Sequence, residues 1–336
     1  MKNKLLGVNT PHFINIGDYI QALASAQFYP SIDGFIQREG LKEYNDEDSK
    51  IIMNGWYMHN AAHWPPSKKI HPLFIAFHIN ISQREKMLSS ESISYLKKYE
   101  PIGCRDINTR DMLLEQGVNA YFSGCMTLTL GYKYKSTSRN NKIYFADPYV
   151  FVSKKLSYYL PKIPFFLYKF RKIAKISKKW YGGLTLQGLI KSTLFLQTYS
   201  QLFDEDILIN SEFVSQAGTK GWPDKDTELL KLAETLVTQY AQAPLVITSR
   251  IHCALPCLGL ETPVLFTMAK DTSVFSGCRL GGLKELFNII EWNDGKLIPK
   301  FPLKGKLSIN NHPKNKRDWV PLAQNLIKRA KQFFEN

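Results

Sequence analysis

Ser249-Arg250-Ile251-His252 stands where an apolar β-branched run, Leu245 to Thr248, gives way to an apolar stretch with the look of a helix. An arginine and a histidine two residues apart at such a junction suit one kind of chemistry. In an open α/β sheet, ligands gather beyond the carboxyl ends of the strands, where the next helix offers free N–H groups and the positive end of its dipole. Arg250 adds a rigid fork of donors matched to a phosphate or carboxylate, and His252 can give or take a proton near neutral pH. Ser249 belongs to the same anion-binding group. The plainer alternative makes Ser249 a helix cap, Arg250 a surface residue and His252 a core histidine.

Two further stretches share this grammar. Ile102-Gly103-Cys104-Arg105-Asp106 ends a short strand, so Arg105 is a second candidate anion contact, unless it pairs locally with a capping Asp106. Asn15-Ile16-Gly17-Asp18 follows the first strand. Gly17 allows close backbone approach, and Asp18 either caps a helix from Tyr19 or orients and deprotonates a hydroxyl. A third stretch, Asn54 to Pro66, is dense in groups that suit a sugar: Asn54, Trp56, His63 and Trp64 offer ring faces, amides and imidazoles, as an alternative to a simple aromatic core loop. His59 and His63 have the spacing of a zinc helix, but Asn60 stands where a metalloprotease needs glutamate and Pro65-Pro66 argues against a long helix. His78, just past the run Leu73–Phe77, is a further acceptor candidate.

Read in order, N-x-G-D at 15–18, I-G-C-R-D at 102–106, T-S-R-I-H-C-A-L at 248–255 and G-L-E-T-P-V-L-F at 259–266 resemble the polysaccharide pyruvyl transferase family. The resemblance implies two Rossmann-like domains facing across a cleft, as in GT-B glycosyltransferases. It implies transfer of pyruvate from phosphoenolpyruvate to two hydroxyls of a hexose in a surface-polysaccharide precursor, for capsule or exopolysaccharide, closing a cyclic ketal. Carried over, Arg105 and Arg250, with Ser249, would hold phosphoenolpyruvate and His252 would protonate it. Asp18 would be the base, and Asn15, Asn54, Trp56, His63, Trp64 and His78 would lie toward the acceptor. No metal and no cofactor besides the donor substrate is implied, since arginines can hold both of its anionic groups. The rival readings are a GT-B-like glycosyltransferase using a sugar nucleotide and a non-catalytic protein that binds polyanions or membranes.

The elements that must position these residues alternate. Strand-like runs at Leu5–Val8, Lys50–Asn54, Leu73–Phe77, Ile102–Cys104, Ala120–Phe122, Lys142–Ala146, Ile207–Ile209, Leu245–Thr248 and Val264–Phe266 are separated by helical patterns such as Tyr19–Phe28, Ser90–Lys98, Asn108–Gln116, Asp224–Gln242, Arg250–Leu258 and Pro321–Phe334. This alternation predicts an α/β fold with mainly parallel sheets. The polar, basic stretch Tyr132–Asn141 marks the expected boundary between a domain of residues 1–135, on the acceptor side, and one of residues 140–336, on the donor side.

Lys and Arg number 44 against 29 Asp and Glu, a net charge of +15 that favours an anionic partner such as a phosphate ester, nucleic acid or an anionic membrane surface, or else a solvated basic exterior. Much of it lies in residues 151–182, which hold nine Lys/Arg, no acidic residue and many aromatics. That insertion is read as a surface for anionic lipid, or as a solvated basic face, with Phe165–Trp180 as its helix. No nucleic-acid motif accompanies it. The five cysteines, odd in number and irregularly spaced, give no disulfide framework. With no signal-like or membrane-spanning run, the chain is expected in the cytoplasm, peripheral to the inner face of the membrane.

Overall fold

Short runs without polar alternation form strands buried on both faces, as parallel sheets require. In the computed structural model, which describes residues 1–8, 14–218, 221–270 and 278–335, Ile102–Cys104, Tyr144–Ala146 and Val246–Thr248 are such strands, buried at every position. The first sheet runs Lys2–Asn3, Ser49–Tyr57, Ile70–Ile79, Ile102–Cys104, Ala120–Phe122 in spatial order, all parallel. The second runs Glu212–Val214, Tyr144–Ala146, Val246–Thr248, Val264–Ala269, Asn288–Asn293, with Lys296–Pro299 added antiparallel at the edge. The expected α/β class with parallel sheets is therefore what the chain adopts.

The order of the second sheet matters most for function. The chain leaves Tyr144–Ala146 for a neighbour on one side, Glu212–Val214, and later returns to the other side with Val246–Thr248. That reversal is a topological switch point, where an open α/β sheet leaves a crevice beyond its strand ends. Asp147 and Ser249-Arg250 follow those two central strands directly.

The halves are tied together in several places. The helix Ile16–Ala26 packs on the helix Asp226–Gln242, and one apolar cluster runs from Ile16 and Ile20 through Tyr240 to Cys253 and Leu258. Ile14–Asn15 pairs antiparallel with Ala217–Gly218. The last helix, Trp319–Glu335, lies on the first half: Phe334 packs on Tyr29 at 4.4 Å and Lys50 Nζ donates to the Phe333 carbonyl at 3.0 Å. Tyr132–Asn141 is likewise fastened, with Arg139 donating to the carbonyls of Ala241 and Glu261.

Some expectations need correction. Ile207–Ile209 is not a strand but part of the helix Glu205–Asn210, whose acidic first turn suits the helix dipole. The strand pair Asn288–Asn293 and Lys296–Pro299 was not foreseen, although Asp294-Gly295 between them is a strong hairpin signal and both residues adopt positive φ (44° and 82°). The first helix starts at Ile16, and its cap is Asn15, whose Oδ1 accepts from Gly17 N at 3.2 Å. Asp18 is thus not the cap. Its Oδ1 instead accepts from Gln21 Nε2 at 3.2 Å.

Candidate functional site

The helix Ile251–Gly259 is apolar all round and buried except at its start. Burial on every side fixes it, and its first turn faces the crevice. His252 is 4% exposed, and its Nε2 has no hydrogen-bond partner among the described residues. Gly17 packs directly on the imidazole, since a Cβ there would lie 2.9 Å from His252 Nδ1. Gln216, itself buried, donates to the His252 carbonyl at 3.4 Å and to Tyr240 Oη at 3.1 Å. The short antiparallel pairing of Asn15 with Ala217 therefore brings the N-terminal motif onto the histidine.

Arg250 has extended backbone (φ −95°, ψ 124°) and caps the helix without a side-chain bond. Its Nε donates to Asp147 Oδ2 at 2.9 Å, and nearly half of the side chain remains exposed toward the crevice. Asp147 is a hub that sequence reasoning missed. It holds a positive φ of 42°, accepts from Gln216 N and Ser215 Oγ, and gives its carbonyl to Ser249 Oγ at 2.6 Å. Ser249 therefore does not cap the helix: its hydroxyl braces the two switch-point strand ends. The rule that ligands lie beyond strand ends would have found Asp147 had it been applied to Tyr144–Ala146.

Arg105 follows the strand Ile102–Cys104 and is 1% exposed. Its Nε lies 4.0 Å from Asp106 Oδ2, and Nε and Nη1 have no hydrogen-bond partner among the described residues. The local ion pair that competed with an anion role is therefore loose. Asp106 caps the helix Ile107–Glu115 through Thr109 N and accepts from His78 Nδ1 at 2.5 Å. Burial opposes the Asp106 carboxylate, but the hydrogen bond with His78 and the charge of Arg105 outweigh it and hold its pKa below the usual value. His78, 2% exposed, is lowered to about 4 by burial first and by Arg105 second, against the pull of Asp106.

Arg279 completes the cluster. It lines a cavity of about 410 Å³ with Asn15, Ser249, Arg250 and His252. The Gly281 carbonyl accepts from Ile107 N at 3.1 Å, which seats this segment at the start of the helix beside Arg105. Although Arg279 keeps contact with solvent, its pKa is lowered by burial and then by Arg105, with Asp18 and Asp106 opposing. His252 is held well below the ordinary histidine value by burial first, then by Arg105 and Arg279. Nothing in the sequence pattern marked Arg279, a lone arginine outside any strand-to-helix junction.

The remaining candidates divide. Asn15 lines the cavity with Arg250 and His252, apart from Asn54 and Trp56. Asp18, Asn54 and Trp56 meet in a shallow recess with Arg38, whose guanidinium sits 4.9 Å from the Trp56 ring centroid. Trp64 is a core residue, 4% exposed and ringed by Tyr57, Phe77 and Tyr95, so it cannot offer a face to a sugar. His63 is paired at the surface with Glu43 at 2.9 Å. His78 is buried behind Arg105 and does not face solvent as an acceptor contact would. His59 and His63 do not share a helix, and only Ala61–His63 forms a single 3₁₀ turn. Among the described residues, no three His, Cys, Asp or Glu gather as a metal site would need. All five cysteines are free.

Parallel sheets, a switch-point crevice and a cavity lined by Arg250, Arg279 and His252 describe an α/β protein with a cationic crevice at its strand ends. The chain belongs to the polysaccharide pyruvyl transferase family, whose model matches residues 15–268. No curated protein matches it in sequence. Among solved structures, a functionally uncharacterized protein from Klebsiella pneumoniae is similar over 83% of this chain and 87% of its own, at 14% identity and a TM-score of 0.42.

Proposed function

We propose that the protein moves the pyruvyl group of phosphoenolpyruvate onto two hydroxyls of a hexose in a surface-polysaccharide precursor, forming a cyclic ketal. The observation that carries this reading is a buried guanidinium, Arg105, with two unpartnered nitrogens, within electrostatic reach of Arg279 and of His252, whose Nε2 is also unpartnered. A buried arginine whose ion pair is stretched to 4.0 Å is costly to keep. It suits a site whose substrate is a small polyanion, and phosphoenolpyruvate brings a phosphate and a carboxylate together.

The chemistry follows from the charges. Without donor, the arginines and burial keep His252 neutral. The donor's negative charges answer those arginines and raise the histidine's pKa, so binding takes up a proton. His252 then protonates the methylene carbon, and a sugar hydroxyl adds to the neighbouring carbon while Asp18 receives the hydroxyl proton. Phosphate leaves, the second hydroxyl closes the ring and returns its proton to His252, and the proton held by Asp18 departs with the phosphate. Asp18 lines the recess with Asn54 and Trp56, and we assign these residues to the acceptor. The arginines do the work of a counter-ion, so we propose that turnover needs no metal and no organic cofactor. We also read the two sheets as GT-B-like halves, and residues 151–182 as a contact with an anionic membrane that brings the enzyme to a lipid-carried acceptor.

The test is paired substitution with phosphate release from phosphoenolpyruvate as readout. Arg250→Ala should weaken donor binding, by an amount set by a charge-assisted pair of about 2–5 kcal/mol. Arg250→Lys should not restore it, since a point charge lacks the fork. His252→Ala should lower turnover by roughly 10²–10⁴ while donor binding changes less. Parent-like turnover in folded Arg250→Ala and His252→Ala proteins would place the chemistry elsewhere.

A further inference from the structure

A second, apolar pocket lies away from the arginine site. It has a volume of about 210 Å³ and is walled by Ile163 and Phe166 of the helix Ile163–Tyr181 and by Leu186, Leu189, Ile190 and Leu194 of the helix Leu186–Tyr199. Ligand pockets for whole small molecules run from about 300 Å³ upward and carry several placed polar groups. This one is smaller and almost wholly apolar, which suits a length of hydrocarbon chain rather than a sugar.

Its surroundings say where that chain comes from. Ile163 and Leu186 of its wall are exposed, Leu186 to 77%, and so are Leu156, Leu160 and Leu167, close to the wall in sequence. Isolated exposed leucines are ordinary, but several beside an apolar pocket mark an interaction surface. From residue 151 to 203 the chain holds ten Lys/Arg and no acidic residue. Lys169 and Lys172 are answered by Glu205, and Lys179 approaches Glu212. Lys154, Lys155, Arg171 and Lys178 make no ion pair among the described residues. Lys162 lines the pocket itself, over the Tyr158 ring at 4.0 Å. Apolar groups ringed by unanswered cations fit the headgroup and acyl boundary of an anionic bilayer. The same two helices also reach the catalytic side. Trp180, Tyr181, Gln187 and Lys191 wall a cavity of about 590 Å³ that extends to Arg250.

We propose that this pocket takes an acyl chain of an anionic bilayer and that the surface around it docks the protein there, with the cavity leading to Arg250 opening from the docked pair of helices. The proposal rests on the membrane contact read above but not on pyruvyl transfer itself. Flotation of the full chain with phosphatidylcholine vesicles, with and without phosphatidylglycerol, tests it. Binding should require phosphatidylglycerol and weaken with salt. Lys154→Gln, Lys155→Gln and Lys162→Gln together should weaken it by about a hundred-fold, at roughly ten-fold or less for each cation. Ile163→Gln with Leu186→Gln should weaken it by about ten-fold or more without loss of melting temperature, since both side chains are exposed. Should that pair prove unstable, Leu186→Gln alone serves. A Phe166→Trp reporter should be quenched by lipids brominated along the acyl chain. Absence of binding to anionic vesicles, binding indifferent to salt, or parent affinity in the leucine–isoleucine variant would overturn the proposal. Phosphate release with a soluble acceptor is read separately, so a protein that turns over but ignores vesicles sinks this inference and leaves the transferase reading standing.

Discussion

Arg105 separates function from stability at the scale of a single residue. It is buried among other positive groups with two nitrogens unpartnered. The neighbouring carboxylate, Asp106, lies 4.0 Å away and keeps its hydrogen bond with His78, so an apolar side chain of similar length removes the cost of a buried charge without leaving Asp106 unpaired. Arg105→Met should therefore keep or raise the melting temperature while lowering donor affinity by two orders of magnitude or more, which calorimetry and donor titration would read together. A fall in melting temperature with unchanged affinity would make Arg105 structural. His78 gives a pH signature. Its folded pKa of about 4 lies below the unfolded value, so between about 4 and 6.5 the unfolded chain binds more protons. Stability is then full above pH 6.5 and lost as pH falls toward 4, by about 3 kcal/mol from this group alone. His78→Gln should flatten that part of a denaturation series.

At the scale of elements, the helix carrying His252 is held by glycine. A Cβ on Gly259 would sit 2.5 Å from the Leu128 carbonyl, and one on Gly131 would sit 2.0 Å from the Gly259 carbonyl. Backbone meets backbone there and cannot move aside cheaply. Gly259→Ala should destabilise the protein by about 1–3 kcal/mol and lower turnover by shifting the start of the helix; an unchanged melting curve and rate would refute this. Much at this level was legible beforehand. The strands around Arg105 and Arg250, the helices that follow them and the parallel class could all be read from apolar runs ending in charged residues. Arg279 and Asp147 could not, because their roles arise from contacts between distant segments: Gly281 with Ile107, and Asp147 with Ser249 and Arg250. Trp64 was misread for the converse reason. Its neighbours in sequence, two alanines, His63 and two prolines, carry no strand or helix periodicity, and only the packing of Tyr57, Phe77 and Tyr95 puts it in the core.

At the scale of the whole molecule, the candidate residues stand at strand ends of both sheets. His78 and Arg105 come from the first sheet, Asp147, Ser249 and Arg250 from the second, and the Asn15–Ala217 pairing and the helix Trp319–Glu335 bind the halves together. No helix among the described residues is long and apolar enough to cross a membrane. The central claim is that this shared site receives phosphoenolpyruvate, and the most direct measurement is calorimetric titration of the full chain with that compound in buffers of differing ionisation enthalpy, beside uridine and cytidine nucleotide sugars. Saturable binding of phosphoenolpyruvate with net proton uptake, lost in Arg105→Met and without uptake in His252→Ala, is the predicted result. Binding of a nucleotide sugar with no response to phosphoenolpyruvate would contradict it.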